Sequence, residues 1–238
     1  ISSGLVGSEM CIRDSIFKYG TNMKFSIDFK KLGFAKEKKI YLENDGNLAA
    51  YSEYLSHFKN DYKNLIMLTF GTGVGGGIIY NSEIFKGSGN AGEIGRILIN
   101  EKSYLEDVIS AKAWTKKCQE LYEINKETKL SNIFYEEKVG SLLFDRSIDL
   151  EDYEKYARDE IIQNTSNALI SLFELFDNDI FVIGGSMTKS PYDFLPLLDE
   201  YISKNFEFPN RNFPKIKLSK AREDSGMLGA ALLALNSE

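Results

Sequence analysis

The clearest chemical signal in the sequence is the glycine-rich run FGTGVGGG at residues 70–77. Its five glycines within seven residues exceed what a tight hairpin requires, although an ordinary hairpin is the alternative interpretation. Glycine lets backbone N–H groups converge on an anion because no Cβ stands in the way. Apolar residues flank the run on both sides, which predicts a strand, a glycine turn and a second strand. We therefore predict a phosphate-binding turn.

Two well-known nucleotide-binding patterns are excluded by the residues that follow the glycines. Gly71, Gly73 and Gly76 have the spacing G-x-G-x-x-G, but that pattern requires a helix directly afterwards to face the pyrophosphate. Here residues 77–80 (GIIY) predict a strand instead. The P-loop pattern fails because no Lys-Ser or Lys-Thr pair follows.

Acidic and amide side chains form a second group of candidates. Residues 43–47 (ENDGN) lie between a predicted strand and a predicted helix, where α/β proteins place ligands. Position alone leaves this interpretation level with simple capping of the helix by Asp45 or Asn47. Glu93 lies in a loop of small residues, and Glu106 precedes a helix, where an acid favours the helix dipole. Alone, each of these two reads as an ordinary surface acid.

The elements that must position these residues alternate between strand-like and helix-like patterns. Residues 190–191 (Ser-Pro) match a helix N-cap followed by proline at the first helical position. The fold class is α/β with a mixed sheet. The predicted strands are 39–43, 64–70, 77–80, 179–183 and 215–218, and the predicted helices cover 48–58, 108–122 (with Trp114, Cys118 and Leu121 on one face), 150–176 and 227–235.

Composition narrows the function classes. The 238 residues suffice for one large or two small domains, and the net charge of −6 gives no reason to expect nucleic acid or an anionic membrane as partner. Two cysteines, Cys11 and Cys118, and one histidine, His57, indicate a reducing compartment and no structural zinc. The sequence has no apolar run of about 20 residues and no signal peptide, so we expect a cytoplasmic protein.

Taken in order, five segments resemble the ROK family of repressors, open reading frames and kinases. The resemblance covers residues 16–238 and implies the actin-like, ribonuclease-H-like sugar kinase fold, in which ATP and a sugar bind between two lobes. The segments are ENDGNLAA at 43–50, LTFGTGVGGGII at 68–79, GNAGEIG at 89–95, IFVIGGSMT at 180–188 and SGMLGAALLAL at 225–235.

The resemblance implies a role for each matching residue. Asp45 corresponds to the general base that takes the proton of the attacking sugar hydroxyl, and Asn44 to a residue that hydrogen-bonds sugar hydroxyls. Sugar contacts are likewise implied for Glu93 and Glu106. The nucleotide residues implied are Gly71, Thr72 and Gly73 for the phosphates, and Gly184 and Gly185 for adenosine. The expected cofactors are ATP and Mg²⁺.

Two departures from the family pattern set further expectations. Many members carry His after GEIG and a cysteine-rich zinc loop downstream, whereas this chain has Arg96 and no cysteine between that residue and Cys118. It is more similar to the zinc-free branch of β-glucoside kinases and N-acetylmannosamine kinases, so we expect no bound zinc. The family's D-x-G-G-T motif, which binds phosphate and magnesium, is also absent. We therefore expect an N-terminally truncated, inactive fragment.

The expected organisation follows from that truncation. Residues 1–15 resemble an adapter-derived, non-native tail. We assign 16–60 to the remainder of an incomplete N-terminal lobe, 61–225 to the C-terminal lobe and 226–238 to a helix that returns to the N-terminal lobe.

The leading functional hypothesis is ATP-dependent phosphorylation of a hexose or hexose derivative, by a protein that is a homodimer when complete. Two alternatives stay open: a sugar-responsive repressor whose winged-helix domain is missing, and a sugar-binding protein without catalysis. Glucose, a β-glucoside, fructose and N-acetylmannosamine all fit the predicted sugar residues.

Overall fold

The computed structural model describes residues 12–13, 16–17, 27–28, 41–124, 144, 149–185, 194–221 and 224–236. The strands are β1 Ile12–Arg13, β2 Ile16–Phe17, β3 Ile27–Asp28, β4 Leu65–Phe70, β5 Val74–Tyr80, β6 Glu83–Ile84, β7 Ile180–Gly184 and β8 Lys215–Leu218. The helices are α1 Asp45–Glu53, α2 Glu106–Ile109, α3 Ala111–Ile124, α4 Asp152–Phe176, α5 Phe194–Asn205 and α6 Ser225–Asn236. A π-helical turn, Tyr54–Phe58, continues α1, and Ile94–Arg96 forms a 3₁₀ turn.

A five-stranded mixed sheet organises the chain, with the strand order β6-β5-β4-β7-β8. Strand β4 is antiparallel to β5 and parallel to β7, and β8 continues the parallel part. The predicted mixed α/β class is confirmed. Strands β1, β2 and β3 form a separate small antiparallel sheet, and β1 lies within the segment 1–15 that the sequence set aside.

Both faces of the sheet are covered, because its central strands alternate their side chains between two cores. Ile66 and Leu68 of β4 point into a large core shared with α2, α3, α4 and α5. Leu65 and Met67 point to the opposite face, where α1 and the π-helical turn pack. Consecutive apolar residues are expected of a strand that is buried on both sides.

Helix α1 lies unusually close to its neighbours. A Cβ at Gly77 of β5 would overlap the carbonyl oxygen of Gly46 at the start of α1, and one at Gly46 would overlap that of Gly76. On the other side of the helix, a Cβ at Gly229 of α6 would overlap the carbonyl oxygen of Leu48. Backbone therefore packs directly on backbone on two sides of α1.

Several predicted boundaries differ from the structure. Residues 41–44 form no regular strand, while residues 39–40 lie outside the described residues. Strand β5 begins at Val74 rather than Gly77, because Gly75 and Gly76 already pair with Thr69 and Leu68 of β4. The predicted N-cap at 190–191 lies outside the described residues, and the described helix begins at Phe194.

The helix predicted over 108–122 is two helices, α2 and α3, divided at Ser110. Ser110 has extended backbone angles, and its Oγ accepts the N–H of Ala113 at 3.1 Å. This is a helix N-cap, so α3 starts anew after it. Trp114 of the predicted common face is buried, whereas the side chains of Cys118 and Leu121 are not among those that the structure describes.

Within the described part of the chain, no helix combines the length and apolar character needed to cross a membrane.

Candidate active site

Helix α1 begins with a side-chain cap provided by Asn44. Its backbone is extended, and its Oδ1 accepts the N–H groups of Gly46 at 2.8 Å and Asn47 at 3.2 Å. An asparagine in this position satisfies backbone donors that would otherwise lack a partner. The capping residue is therefore Asn44, whereas the sequence pointed to Asp45 or Asn47. Asp45 becomes the first residue of the helix.

The structure brings Asn44 and Glu93 together. The Asn44 Nδ2 donates to Glu93 Oε1 at 3.2 Å, across a sequence separation of 49 residues. Glu93 stands just before the 3₁₀ turn that runs beside β5. An amide and a carboxylate in contact form a paired donor and acceptor suited to neighbouring hydroxyl groups.

Asp45 presents its carboxylate at the surface of this turn. Its side chain is exposed, and Oδ1 accepts the N–H of Gly46 at 2.9 Å. The surrounding protein atoms nevertheless displace water, and this desolvation raises the pKa of Asp45 above its ordinary value of 3.8. Hydrogen bonds from the backbone N–H groups of Gly46 and of Asp45 itself oppose the rise in pKa. An accessible carboxylate with raised proton affinity suits a proton acceptor.

The glycine turn between β4 and β5 lies against a second carboxylate. The Gly71 N–H donates to the Gly73 carbonyl at 3.0 Å, and Thr72 at the tip is exposed. Glu106 Oε2 lies 2.7 Å from the place that a Cβ at Gly73 would occupy. Glu106 is therefore positioned beside this turn by α2. The space around Gly71, where its Cβ would stand, is open within 4 Å.

The remaining glycines of the run are required for a different reason, namely close packing within the sheet. A Cβ at Gly75 would lie 2.6 Å from Thr69 Oγ1, and one at Gly76 would lie 2.6 Å from Ile94 Cδ1. Gly77 packs against α1, as described above. The composition of the run alone predicted phosphate binding by all five glycines. Only Gly71 and Gly73 belong to the turn.

Gly184 and Gly185 end β7 immediately beside the glycine turn. Gly184 pairs with Thr69, and Gly185 has a φ of 98°. A Cβ at Gly185 would overlap the Phe70 carbonyl, so glycine is required there both by conformation and by space. The two glycine segments thus meet at the carboxyl edge of the parallel pair β4 and β7. Open α/β sheets bind ligands at this edge.

Two further residues that the sequence analysis missed support the start of α1. Glu43 Oε1 accepts the Asn44 N–H at 3.1 Å and the Asn47 Nδ2 at 2.9 Å. Its Oε2 pairs with Lys86 Nζ at 2.6 Å, and the Glu43 side chain is only 6% exposed. Glu43 belongs to the ENDGN segment, but nothing in the sequence distinguished it from its neighbours as a supporting residue. Nothing in the sequence singled out Lys86.

The opposite end of α1 is held by Glu53, which the sequence analysis also missed. Its side chain is fully buried, and Oε1 accepts the Ala221 N–H at 2.8 Å together with the Ser219 hydroxyl. The Ser219 N–H donates to the Ile183 carbonyl at 2.8 Å. Glu53 therefore connects α1 to the segment beside Gly184.

Arg96 stands at the position where the family resemblance leads to the expectation of His in many members, and it contacts an aromatic ring. The Arg96 guanidinium lies 4.8 Å from the centroid of the Tyr104 ring, and Tyr104 pairs with Leu98 across a short hairpin. Among the described residues, no three His, Cys, Asp or Glu side chains are grouped so as to hold a metal ion.

Comparisons with known proteins agree on one family. The family model described as "ROK family" matches residues 26–237. A glucokinase of Thermotoga maritima is 26% identical over 210 residues, covering 82% of this chain and 65% of that protein. An N-acetylmannosamine kinase of Haemophilus influenzae strain PittGG is 27% identical over 197 residues, covering 82% and 63%.

A solved structure shares the fold. The crystal structure of a ROK family glucokinase from Streptomyces griseus, in complex with glucose and AMPPNP, superposes with a TM-score of 0.70 at 23% identity. The match covers 82% of this chain and 68% of that one. The expected actin-like sugar kinase fold is thereby confirmed.

The chain spans 61% to 65% of the length of three curated relatives that it matches. The family match extends over most of the chain, and it includes the capped turn, the glycine turn and the end of β7. The chain belongs to the ROK family.

Proposed function

We propose that this chain carries the substrate site of a kinase that transfers the γ-phosphoryl group of ATP to a hydroxyl of a hexose or hexose derivative. One observation carries the proposal. The turn that bears Asn44 and Asp45 packs on β5 beside Glu93, while the glycine edge of Gly71 and Gly185 borders the same part of the sheet. The relatives named glucokinase and N-acetylmannosamine kinase support a hexose as the acceptor.

The proposed site has a sugar side and a nucleotide side. On the sugar side, carboxylate and amide groups accept from and donate to hydroxyl groups, as few but well-placed polar groups do in small-molecule sites. The sugar-side residues are Asn44, Asp45, Glu93 and Glu106. On the nucleotide side, the open space at Gly71 suits the close approach of phosphate oxygens to the backbone. The nucleotide-side residues are Gly71, Thr72 and Gly73 for phosphates, and Gly184 and Gly185 for adenosine.

Asp45 acts as the general base in this proposal. The hydroxyl oxygen of the sugar attacks the γ-phosphorus, the bond from that phosphorus to the bridging oxygen breaks, and ADP leaves with the electron pair. The hydroxyl proton passes to Asp45. Because Oδ1 already accepts the Gly46 N–H, we assign the incoming proton to Oδ2. The raised pKa of Asp45 brings the carboxylate closer to the proton affinity that general-base catalysis favours.

Magnesium supplies charge neutralisation on the phosphates when it is bound. Proteins usually hold Mg²⁺ through one or two carboxylates together with substrate phosphates and water. Glu106 fits this mode, since its single carboxylate lies beside the glycine turn that we assign to the phosphates. We propose that the protein works with ATP and Mg²⁺ and without zinc.

The test uses the complete gene product and measures ADP formation with glucose, fructose, a β-glucoside, N-acetylmannosamine and N-acetylglucosamine. We expect one hexose class to support turnover. The Asp45→Asn variant keeps the shape and a polar contact but removes the basic oxygen. Its kcat should fall by about 10²- to 10⁴-fold with little change in sugar affinity.

Asp61→Asn is the matched control, because Asp61 is an exposed turn residue after α1. It should retain wild-type turnover. Sugar binding without ADP formation in the wild-type protein would contradict the kinase proposal and favour a sugar-responsive regulator or a binding protein. An unchanged kcat in Asp45→Asn would show that Asp45 is not the base.

A further inference from the structure

We propose that Glu43 and Lys86 are positioning residues that fix the sugar-recognition geometry of Glu93 by clamping the loop 86–93 at both ends. The inference rests on the proposed function for its effect on sugar binding. The clamp itself consists of two contacts that converge on the first turn of α1. Lys86 pairs with Glu43 at one end of the loop, and Glu93 accepts from Asn44 at the other end.

Glu43 is suited to this role because its carboxylate is buried and fully engaged. One oxygen accepts the Asn44 N–H and the Asn47 side-chain amide, and the other pairs with Lys86 at 2.6 Å. A buried carboxylate that loses its cationic partner is strongly unfavourable. Lys86 is about half exposed, so its own desolvation cost is small. The Glu43–Lys86 ion pair therefore restrains the loop more strongly than an ion pair between two exposed side chains would.

Three glycines lie in the loop between the two contacts, and one of them, Gly92, also packs beside Gly76 and Gly77 of β5. Gly87, Gly89 and Gly92 all have positive φ values, and flexible glycines lose much conformational entropy when they are fixed. Within the loop, the N–H groups of Gly89 and Ala91 donate to the carbonyl of Lys86. The Lys86 backbone is thus the anchor of the loop's internal hydrogen bonds, while its side chain ties that anchor to Glu43.

Release of the Lys86 end would loosen the loop that carries Glu93 but would leave Asp45 on the capped end of α1. Glu93 would then lose part of its fixed orientation toward the sugar. Affinity for the sugar should weaken, since an ordered site must be formed on binding. The chemical step should be preserved, because the base is unchanged. An effect on sugar affinity without an effect on the chemical step would distinguish Glu43 and Lys86 from catalytic residues.

The experiment compares Lys86→Met, which keeps the aliphatic stem but removes the charge, with Lys86→Arg, which keeps the charge. In the complete gene product, Lys86→Met should raise the KM for the sugar by about 3- to 10-fold with kcat within about twofold of the wild type. Lys86→Arg should restore most of the wild-type KM. Lys116→Met is the matched control, because Lys116 is an exposed residue of α3 paired with Glu120, and it should have no effect.

A second measurement does not depend on catalysis. Hydrogen exchange of the Gly89 and Ala91 amides should be faster in Lys86→Met than in the wild type, Lys86→Arg or Lys116→Met. If the wild-type protein phosphorylates no sugar, the proposed function fails, and this exchange still decides whether the clamp exists. Unchanged exchange in Lys86→Met would overturn the clamp. Faster exchange with an unchanged KM in an active enzyme would overturn its role in sugar recognition.

Discussion

The two ends of α1 are held in place by different means. At its beginning, Asn44, Glu43, Lys86 and Glu93 form hydrogen bonds and an ion pair near an accessible carboxylate, Asp45. At its end, one buried carboxylate, Glu53, accepts from Ser219 and Ala221. The first arrangement can exchange partners with a polar ligand, whereas the second is closed to solvent.

This difference indicates that the two ends of α1 have separate roles, one in ligand contact and one in attachment to the fold. The open end carries the donors and acceptors of the proposed sugar site, and the closed end joins the helix to the segment beside Gly184. In the described part of the chain, Glu53 Oε2 has no hydrogen-bond partner, which is a costly arrangement for a buried group. Because Glu53 Oε1 nevertheless satisfies two donors of another segment, the closed end should control stability, and the open end should control ligand affinity.

The largest effect on stability is expected from Glu53→Ala. It leaves the Ser219 hydroxyl and the Ala221 N–H without their acceptor and creates a void, so the free energy of unfolding should fall by about 2–4 kcal/mol. Denaturant unfolding of the purified protein measures this change. Glu207→Ala, at an exposed position, should be nearly neutral. A loss below about 0.5 kcal/mol in Glu53→Ala would show that the closed end is not the stabilising one.

A smaller effect is expected at the open end from Asn44→Ala, which removes the helix cap and the contact to Glu93. The loss of the cap should lower the free energy of unfolding by about 1 kcal/mol. Asn44→Ser separates the two roles, because serine caps helices well but is too short to keep the Glu93 contact. It should restore stability but not sugar affinity, measured by titration calorimetry. Restoration of both would contradict a role for the Asn44 amide in sugar binding.

The smallest effect is the pH dependence of stability that Asp45 contributes. Desolvation raises the pKa of Asp45 in the folded protein above its ordinary value of 3.8, so the folded state binds the proton more tightly than the unfolded state. Stability should therefore decrease as the pH rises through the interval above 3.8 and then stay level beyond the folded pKa. Asp45→Asn removes this dependence. The difference in Tm between Asp45→Asn and wild type should grow in favour of the variant from pH 3 to pH 7, and a constant difference would contradict the shift.

The sequence predicted those parts of the molecule that depend on local pattern. The buried strands β4 and β7 are continuous apolar runs, and α4 is a long amphipathic helix that ends as predicted at Phe176. The break at Ser110 was missed because one hydroxyl cap interrupts an otherwise helical pattern. The ion pair of Glu43 with Lys86 was missed because its partners come from distant segments. Neither segment has a sequence pattern that predicts contact with the other.

The glycine-rich run shows why composition alone was an incomplete guide. Glycine can be selected for the conformation it allows, for a close approach of backbones or for an open anion site, and a sequence does not separate these causes. The structure assigns Gly75 and Gly76 to close packing and leaves Gly71 and Gly73 at the turn. The order of segments was the stronger guide to the candidate site, since Asn44 and Glu93 do meet.

The backbone-to-backbone packing of α1 has a consequence for how this protein tolerates change over evolution. The spacing of the helix from β5 and from α6 is set at Gly46, Gly77 and Gly229 mainly by main-chain atoms, with the small Ala50 side chain also against Gly77. Substitutions among the larger apolar side chains of the core alter volumes elsewhere, but they do not set this spacing. The location of Asp45 is thereby insulated from mutational drift in the core. The same three positions should accept almost no side chain, so we expect neutral variation to concentrate in the parts of the chain that do not hold α1.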